Sequence, residues 1–361
     1  MTYIPGRGRF WLGIFLAILI GIGPISALFA GSSLPGCAPL EGATIRWVVP
    51  SRPGGGYDAY SRLLQPFLEQ SLGVQTRIEN HPEAGGVVGA QVIRDAAPDG
   101  KTLGLINASG LLAARAIEDD PAPDPTVDFT ILGQVVSNQV VVFTGTATGF
   151  RDINDLLIAA QSRPIVVGVR DAGSTSLYSV PVTAELLGIE YALVSGYVGS
   201  AARTMALIRG EVDIIVGNFD SLKGQVRVGE LIPLLQLTAL VDDELDIPQL
   251  GGPEGLARHR AGVTGRTPQQ AEQAASDLAV IVGAGRLVVA PQDLPAGLSD
   301  CLDTELGKIL QSAKLLQAAD RAHLSIEYQN SASAHQNLMA GARGVDQFRD
   351  LISAAIRRAR E

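Results

Sequence analysis

The stretch that decides the fold is Pro50-Ser51-Arg52-Pro53-Gly54-Gly55-Gly56-Tyr57-Asp58. It follows the apolar run Ile45–Val49, which is typical of a buried strand, and it precedes apolar side chains at helical spacing between Leu63 and Leu72. A strand, a glycine-rich turn and the first turn of a helix form a site where backbone N–H groups can face an anion. The stretch therefore predicts an α/β fold with an anion-binding loop at a strand end.

A second glycine cluster, residues 84–89, follows the strand-like residues 76–79. Two such loops in one half of the chain favour a small anion held largely by the main chain. The alternative is a pair of ordinary tight turns, with Asp58 as a helix cap. The candidate ligand-binding residues of the two loops are Gly54, Gly55, Gly56, Tyr57, Asp58, Ala84, Gly85 and Gly86.

The common phosphate-binding motifs do not fit these loops. No glycine stands three positions after Gly56, as a dinucleotide fingerprint requires. Residues 99–102 imitate the end of a P-loop, but Asp95 stands where its first glycine should be. A nucleotide ligand is therefore not expected.

Apolar strand-like runs alternate with helical patterns along the rest of the chain. The strand-like runs are Thr102–Ile106, Val140–Thr144, Ile165–Val169, Ala192–Val194, Ile214–Val216 and Leu287–Ala290. This alternation predicts an α/β architecture with open sheets. Ligands of such sheets bind beyond the carboxyl ends of the strands, which is where both glycine loops fall.

Composition and charge exclude several function classes. The net charge of −9 argues against a nucleic-acid partner, which would require a basic face. The four histidines are scattered and show no metal-ligand spacing, and no G-x-S-x-G nucleophile elbow occurs. We therefore expect a protein that is not an enzyme and that needs neither a metal nor a cofactor.

The N-terminal segment, residues 1–36, predicts export. Arg7 and Arg9 precede an uncharged run, residues 10–30, as in a secretory signal. The run is long enough to remain as an uncleaved membrane anchor, and cleaved export is the favoured alternative. Residues 34–37 resemble a lipobox, which would place a lipid on Cys37. The other alternative is a disulfide between Cys37 and Cys301, which an even cysteine count in an exported chain permits.

Several ordered motifs of the chain resemble those of the substrate-binding proteins of tripartite tricarboxylate transporters, the Bug-type receptors. They are Val48–Asp58, Glu79–Gly89, Ala97–Leu103, Gly196–Ser200, Gly210–Asp213 with Asn218, Gly229–Leu234, and the segments around Val289–Pro291 and Leu294–Pro295. No single motif is diagnostic, but their order and spacing hold from about residue 45 to residue 240.

The resemblance implies a type 2 periplasmic binding protein, with two α/β lobes of open mixed sheets joined by a hinge that the chain crosses twice. We expect the crossings near Thr144 and Gly285. The first lobe would comprise residues 43–143 plus 285–361, and the second residues 144–284. The implied function is a periplasmic, monomeric solute-binding receptor. It would capture a small organic carboxylate and deliver it to integral-membrane transporter subunits.

The facing half of the pocket is expected at the segment Asp171–Ser176, which opens a helix. Its candidate ligand contacts are Gly173, Ser174 and Thr175, and the alternative is a plain helix N-cap. Tyr197 and Asn218 are further candidates, and Arg52 could pair with a ligand carboxylate or point into solvent. Two other functions stay open, namely a receptor that presents its ligand state to a sensor protein and an enzyme on the same scaffold.

Overall fold

A computed structural model describes Met1 and residues 35–114, 122–169, 175–197, 199–238 and 246–360. The chain divides into a short unit, Met1–Gly31, and a compact unit, Ser32–Glu361, which holds every described helix and strand. None of the described helices combines the length and the apolar character that a bilayer crossing requires. The predicted export segment falls almost wholly outside the described residues.

The described strands and helices alternate through most of the chain. The strands are β1 (Thr44–Val49), β2 (Gln75–Asn80), β3 (Thr102–Asn107), β4 (Phe129–Val136), β5 (Val140–Gly145), β6 (Ile165–Gly168), β7 (Tyr191–Val194), β8 (Ile214–Asn218), β9 (Leu231–Gln236) and β10 (Arg286–Pro291). The helices are α1 (Gly56–Leu72), α2 (Val87–Arg94), α3 (Ala108–Ala114), α4 (Ile153–Ala159), α5 (Thr175–Leu187), α6 (Gly199–Ile208), α7 (Phe219–Arg227), α8 (Leu256–His259), α9 (Pro268–Gly283), α10 (Ala296–Leu310), α11 (Ala313–Arg321), α12 (Ser331–Gln347) and α13 (Arg349–Arg360).

The strands form two five-stranded sheets. The first has the order β2-β1-β3-β10-β4, in which β10 runs antiparallel to both of its neighbours. The second has the order β7-β6-β8-β5-β9, in which β5 is the antiparallel strand. Both sheets are open and mixed, so the predicted two α/β lobes are confirmed.

Two strands were not expected from the sequence. Gly133 and the buried Gln134 interrupt the apolar run of β4, which obscures it as a strand. Pro233 lies inside β9, and a proline argues against a central strand. Because β9 is an edge strand of the second sheet, it tolerates the lost N–H donor.

The first crossing between the sheets lies at residues 137–139, between β4 and β5. The expected position near Thr144 is wrong, because Thr144 pairs with Ile214 and Ile232 inside the second sheet. The chain enters the first sheet again through Gly285, because α9 ends at Gly283 and β10 starts at Arg286. A Cβ on Gly285 would lie 1.9 Å from the carbonyl oxygen of Val136, so the two crossing segments touch.

The C-terminal end also departs from the expected division into lobes. Helix α12 packs against α9 and β4, but α13 packs against α5 and β7 of the second lobe. Ile352 of α13 is 0% exposed and belongs to an apolar cluster that includes second-lobe residues. Residues 349–360 therefore lie on the second lobe, and the chain passes between lobes a third time at Phe348.

Cys37 and Cys301 form a disulfide in this structure, with Cα atoms 5.6 Å apart. The bond joins the short helical turn Pro35–Leu40 to α10 across a sequence separation of 264 residues. The two residues are 0% and 2% exposed. The bond therefore ties the helical turn Pro35–Leu40 into the first-lobe core.

Candidate functional site

The first glycine loop, residues 50–55, connects the end of β1 to the start of α1. Gly54 has a φ of +77°, a left-handed conformation that strains residues with a Cβ. Gly55 is the N-cap of α1 and supplies no side-chain hydrogen bond. The leading N–H groups of α1 have no intrahelical acceptor, as at other helix ends that bind anions.

Asp58 fixes the shape of this loop. Its Oδ2 accepts hydrogen bonds from the Gly54 N–H at 2.9 Å and from Arg62 Nε at 2.8 Å. Its Oδ1 accepts one from Asn80 Nδ2 at 3.0 Å. Burial raises the pKa of this carboxyl, but the three donors outweigh burial and hold the pKa below its ordinary value. Asp58 therefore closes the loop, and the alternative in which it is the helix cap is wrong, because the N-cap is Gly55.

The lowered pKa of Asp58 predicts a pH dependence of stability. A folded-state pKa below that of the unfolded chain stabilises the fold above about pH 4, and this stabilisation is lost as the pH falls through the folded pKa. We expect Asp58→Asn to lower the free energy of unfolding at pH 7 by about 1–3 kcal/mol, because an amide replaces a charged acceptor. The difference from the parent should shrink towards pH 3.

Urea unfolding of the parent and of Asp58→Asn at pH 7 and pH 3 measures this effect. The exposed Asp300, changed to asparagine, is the matched control and should differ little from the parent at either pH. An equal loss for Asp58→Asn at both pH values would contradict the assignment.

The second glycine loop, residues 82–86, follows β2. Ala84, Gly85 and Gly86 have φ values of +48°, +70° and +98°. Such runs of left-handed residues turn successive N–H groups towards a common side, which is how backbone anion sites are built. Glycine accounts for two of the three positions, and Ala84 is one of the few described non-glycine residues with a positive φ.

The two loops contact each other directly. A Cβ on Gly86 would lie 2.6 Å from the Cβ of Pro50 and 2.8 Å from its carbonyl oxygen. Asn80 joins the loops a second time, since its Nδ2 donates to the Ser51 carbonyl at 2.9 Å as well as to Asp58. The structure therefore brings the two sequence-predicted loops together at the carboxyl edge of the first sheet.

A narrow crevice lies beside the second loop. Its lining residues are Gly85, Gly86, Val87, Asn107, Gly110 and Leu111. Asn107 ends β3, and its Oδ1 accepts hydrogen bonds from Ser109 Oγ at 3.0 Å and from the Gly110 N–H at 3.3 Å. The start of α3 thus forms the wall opposite the second loop.

The second lobe approaches this edge through the starts of α5 and α7. The hydroxyl of Thr175 lies 3.4 Å from that of Ser109 on α3. A Cβ on Gly56 would lie 3.0 Å from the hydroxyl oxygen of Ser221 on α7. Predicted residue Thr175 is therefore at the interface between the lobes, while Gly173 and Ser174 lie outside the described residues.

Asp220, in the first turn of α7, connects the lobes by hydrogen bonds. Its Oδ2 accepts from the hydroxyl of Tyr60 at 3.2 Å, and its Oδ1 accepts from the hydroxyl of Ser325 at 3.1 Å. Asn218 caps the same helix through the Asp220 N–H at 3.2 Å and donates to Asn138 at 3.3 Å. Predicted residue Asn218 is thus placed at the first crossing.

Arg286 is the residue that sequence reasoning missed. It begins β10, where its backbone pairs with Asn107 and Val136, and it is 2% exposed. Its guanidinium carbon lies 5.1 Å and 4.5 Å from the ring centres of Tyr57 and Tyr60. The only sequence signal was an arginine at the head of an otherwise apolar strand.

Tyr197 and Arg52 make other contacts. Tyr197 packs against an apolar cluster of the second lobe, and burial, followed by the charge of Glu211, raises the pKa of its hydroxyl. Arg52 is exposed, and its Cδ would lie 3.8 Å from a Cβ on Gly199 at the start of α6. Within the described part of the chain, no three histidine, cysteine or carboxylate side chains gather into a metal-ligand cluster.

The chain is similar to proteins of known family and fold. It is 26% identical over 320 residues to the "UPF0065 protein in tcbD-tcbE intergenic region" of Pseudomonas sp. (strain P51), covering 87% of this chain and 84% of that protein. The fold is similar to that of R. palustris Rpa4515 with adipate, at a TM-score of 0.68 and 21% identity, over 86% of this chain and 97% of that one. It is also similar to MatC from Rhodopseudomonas palustris with bound malate, at a TM-score of 0.67 and 20% identity, over 86% and 99%.

A family model described as "Tripartite tricarboxylate transporter family receptor" matches residues 60–244. That range runs from within α1 to beyond β9, the last strand of the second sheet in chain order. It includes the second glycine loop, the first crossing between β4 and β5, and α7. The sequence motifs, the two mixed sheets and this match agree. The chain belongs to the tripartite tricarboxylate transporter receptor family, whose members are solute-binding receptors.

Proposed function

We propose that this receptor captures a small organic carboxylate between its lobes and delivers it to the membrane subunits of a tripartite tricarboxylate-type transporter. The observation that carries the proposal is the junction of the two glycine loops at the carboxyl edge of the first sheet, opposite the starts of α5 and α7. The Gly54 and Gly55 N–H groups are bonded within the first loop, so the donors that suit an anion there are those of the first turn of α1. Such donors do not require a basic surface on an acidic protein.

In the proposed complex, one carboxylate binds at Gly54–Tyr57 and Ala84–Gly86, partly through ordered water. The other end of the ligand meets Thr175 and the preceding Gly173 and Ser174, with Tyr197 and Asn218 on the same lobe. Adipate and malate in the similar structures support a small dicarboxylic acid as the ligand class.

The proposed receptor acts outside the cytoplasm. The protein would be exported to the periplasm, act as a monomer and turn over no substrate, with its lobes closing on the ligand by a hinge motion. The first lobe would comprise residues 43–136 and 286–347, and the second the rest of the described chain beyond residue 139. Asn138 supports a hinge at the first crossing, since its side chain donates to the Val282 carbonyl at 3.2 Å and accepts from Asn218.

Calorimetric titration of the purified protein tests the ligand class. We expect adipate, malate or another small di- or tricarboxylate to bind with a dissociation constant at or below the micromolar range, about −8 kcal/mol. Glucose carries no carboxylate, and lysine carries two ammonium groups beside its one carboxylate, so both should bind at least 100-fold more weakly. Tight sugar or amine binding without carboxylate binding would overturn the proposal.

A further inference from the structure

We infer that Arg286 is an ionic anchor in the cleft, which binds a carboxylate of the ligand at the start of β10. The inference rests on the proposed function, because it assigns a charged contact to the same cleft. It goes beyond the glycine loops, which offer only neutral donors.

The guanidinium of Arg286 is buried without a counter-charge in the described part of the chain. Arg286 is 2% exposed, and its Nε and Nη1 have no hydrogen-bond partner among the described residues. No carboxylate of the described chain forms an ion pair with it. A buried cation without a counter-charge is strongly unfavourable unless something else supplies the missing charge and acceptors.

The tyrosines compensate for only part of this cost. The rings of Tyr57 and Tyr60 lie within cation–π distance of the guanidinium, at 5.1 Å and 4.5 Å. They accept no hydrogen bond from Nε or Nη1. Asp220 reaches the same region from the second lobe, but its two oxygens are already bonded to Tyr60 and Ser325. The guanidinium therefore keeps an unused capacity for a bidentate acceptor, which a carboxylate matches.

Arg286 lies beside the first turn of α1. The Nη2 of Arg286 would lie 3.2 Å from a Cβ on Gly56, the first residue of α1. Ser221 of the second lobe would lie 3.0 Å from the same Cβ. The cation is thus held beside the N-terminal end of a helix, which also favours negative charge, at a place that both lobes border.

The burial of Arg286 limits how a ligand can reach it. Because Arg286 is 2% exposed, a ligand reaches it only when the lobes separate, and the ligand is enclosed when they close. Gly285 precedes Arg286 at the second crossing, where the backbone touches Val136. The anchor therefore lies at the hinge side of the cleft, and a neutral ligand would leave the charge unpaired on closure.

The experiment combines a charge change in the protein with one in the ligand. Adipate and malate, and their neutral diamides, are titrated calorimetrically into the parent, into Arg286→Met, which has no charge and a similar length, and into Arg286→Lys. Arg343→Met, an exposed arginine of α12, is the control. We expect Arg286→Met to bind the better dicarboxylate at least 30-fold more weakly and to lose most of the parent's preference for acid over diamide. Arg286→Lys should retain part of that preference, and the control should match the parent.

Thermal unfolding supplies a second readout. Removal of an unpaired buried charge should leave the ligand-free Arg286→Met protein as stable as the parent or more so, while the dicarboxylate no longer raises its midpoint. Parent-like affinity and preference in Arg286→Met would overturn the anchor while leaving the proposed function intact. So would a large loss of stability in both the Met and Lys variants without ligand, since that would show a structural role. If the parent itself binds no carboxylate, the proposed function fails.

Discussion

The double variant Cys37→Ser, Cys301→Ser is expected to lose about 2–5 kcal/mol of unfolding free energy, one of the two largest effects that the structure predicts. The bond closes a loop across a separation of 264 residues. The chain-entropy model gives roughly 5–6 kcal/mol for a loop of that length, and residual structure in the unfolded chain reduces that figure. Both sulfur atoms are buried, so two serine hydroxyls in their place add a desolvation cost.

Guanidinium unfolding of the parent, with and without a reductant, and of the double variant measures this loss. The reduced parent is the matched control, because it retains both thiols and lacks only the bond. The unfolding free energy of the reduced parent should fall most of the way to that of the double variant. Titration of the unfolded, unreduced parent should find no free thiol, and two thiols per chain would refute the bond.

The disulfide shows where sequence reasoning reached its limit at the N-terminal end. For Cys37 the sequence left two alternatives open, a lipid and a bond to Cys301. What separates these alternatives is a Cα–Cα distance of 5.6 Å between residues far apart in sequence, which depends on the packing of the turn Pro35–Leu40 against α10. No local pattern encodes that contact.

The fold was predictable wherever local patterns were strong. Glycine loops after apolar strands located β1, β2 and the start of α1, because strand, turn and helix signals follow one another directly. The first crossing was misplaced because β4 was missed. Val140–Thr144 therefore seemed to be the last strand of the first sheet, although its neighbours are β8 and β9.

In the candidate site, the glycine loops could be predicted from the sequence, but the charged residues Arg286 and Asp220 could not. Glycines in a turn indicate a left-handed backbone conformation, so Gly54, Gly85 and Gly86 could be proposed from the sequence. The burial of Arg286 and the bonding of Asp220 depend on how two lobes meet. Both residues are more than a hundred positions from α1, so no local sequence pattern indicates that they lie beside it.

The other largest effect is expected for Gly86→Val, which should weaken binding of the preferred carboxylate at least tenfold, or by about 1.4 kcal/mol. Gly86 has a φ of +98°, which a β-branched residue adopts only with strain. Its Cβ would also lie 2.6 Å from the Cβ of Pro50 and 2.8 Å from its carbonyl oxygen. The first loop must therefore move away from the second, and the two sets of N–H donors separate.

Gly149→Val is the matched control for this substitution. Gly149 also has a left-handed φ, +79°, but a Cβ there meets no atom within 4 Å, and the residue is exposed on the second lobe. Both variants carry the conformational cost, which is about 1–2 kcal/mol of stability, and only Gly86→Val adds the collision between the loops. Calorimetry on folded samples, verified by circular dichroism, should show parent-like affinity for Gly149→Val. Parent-like affinity for Gly86→Val as well would mean that the ligand does not bind at the junction of the loops. If the backbone donors of the junction held the ligand, their displacement would weaken its binding.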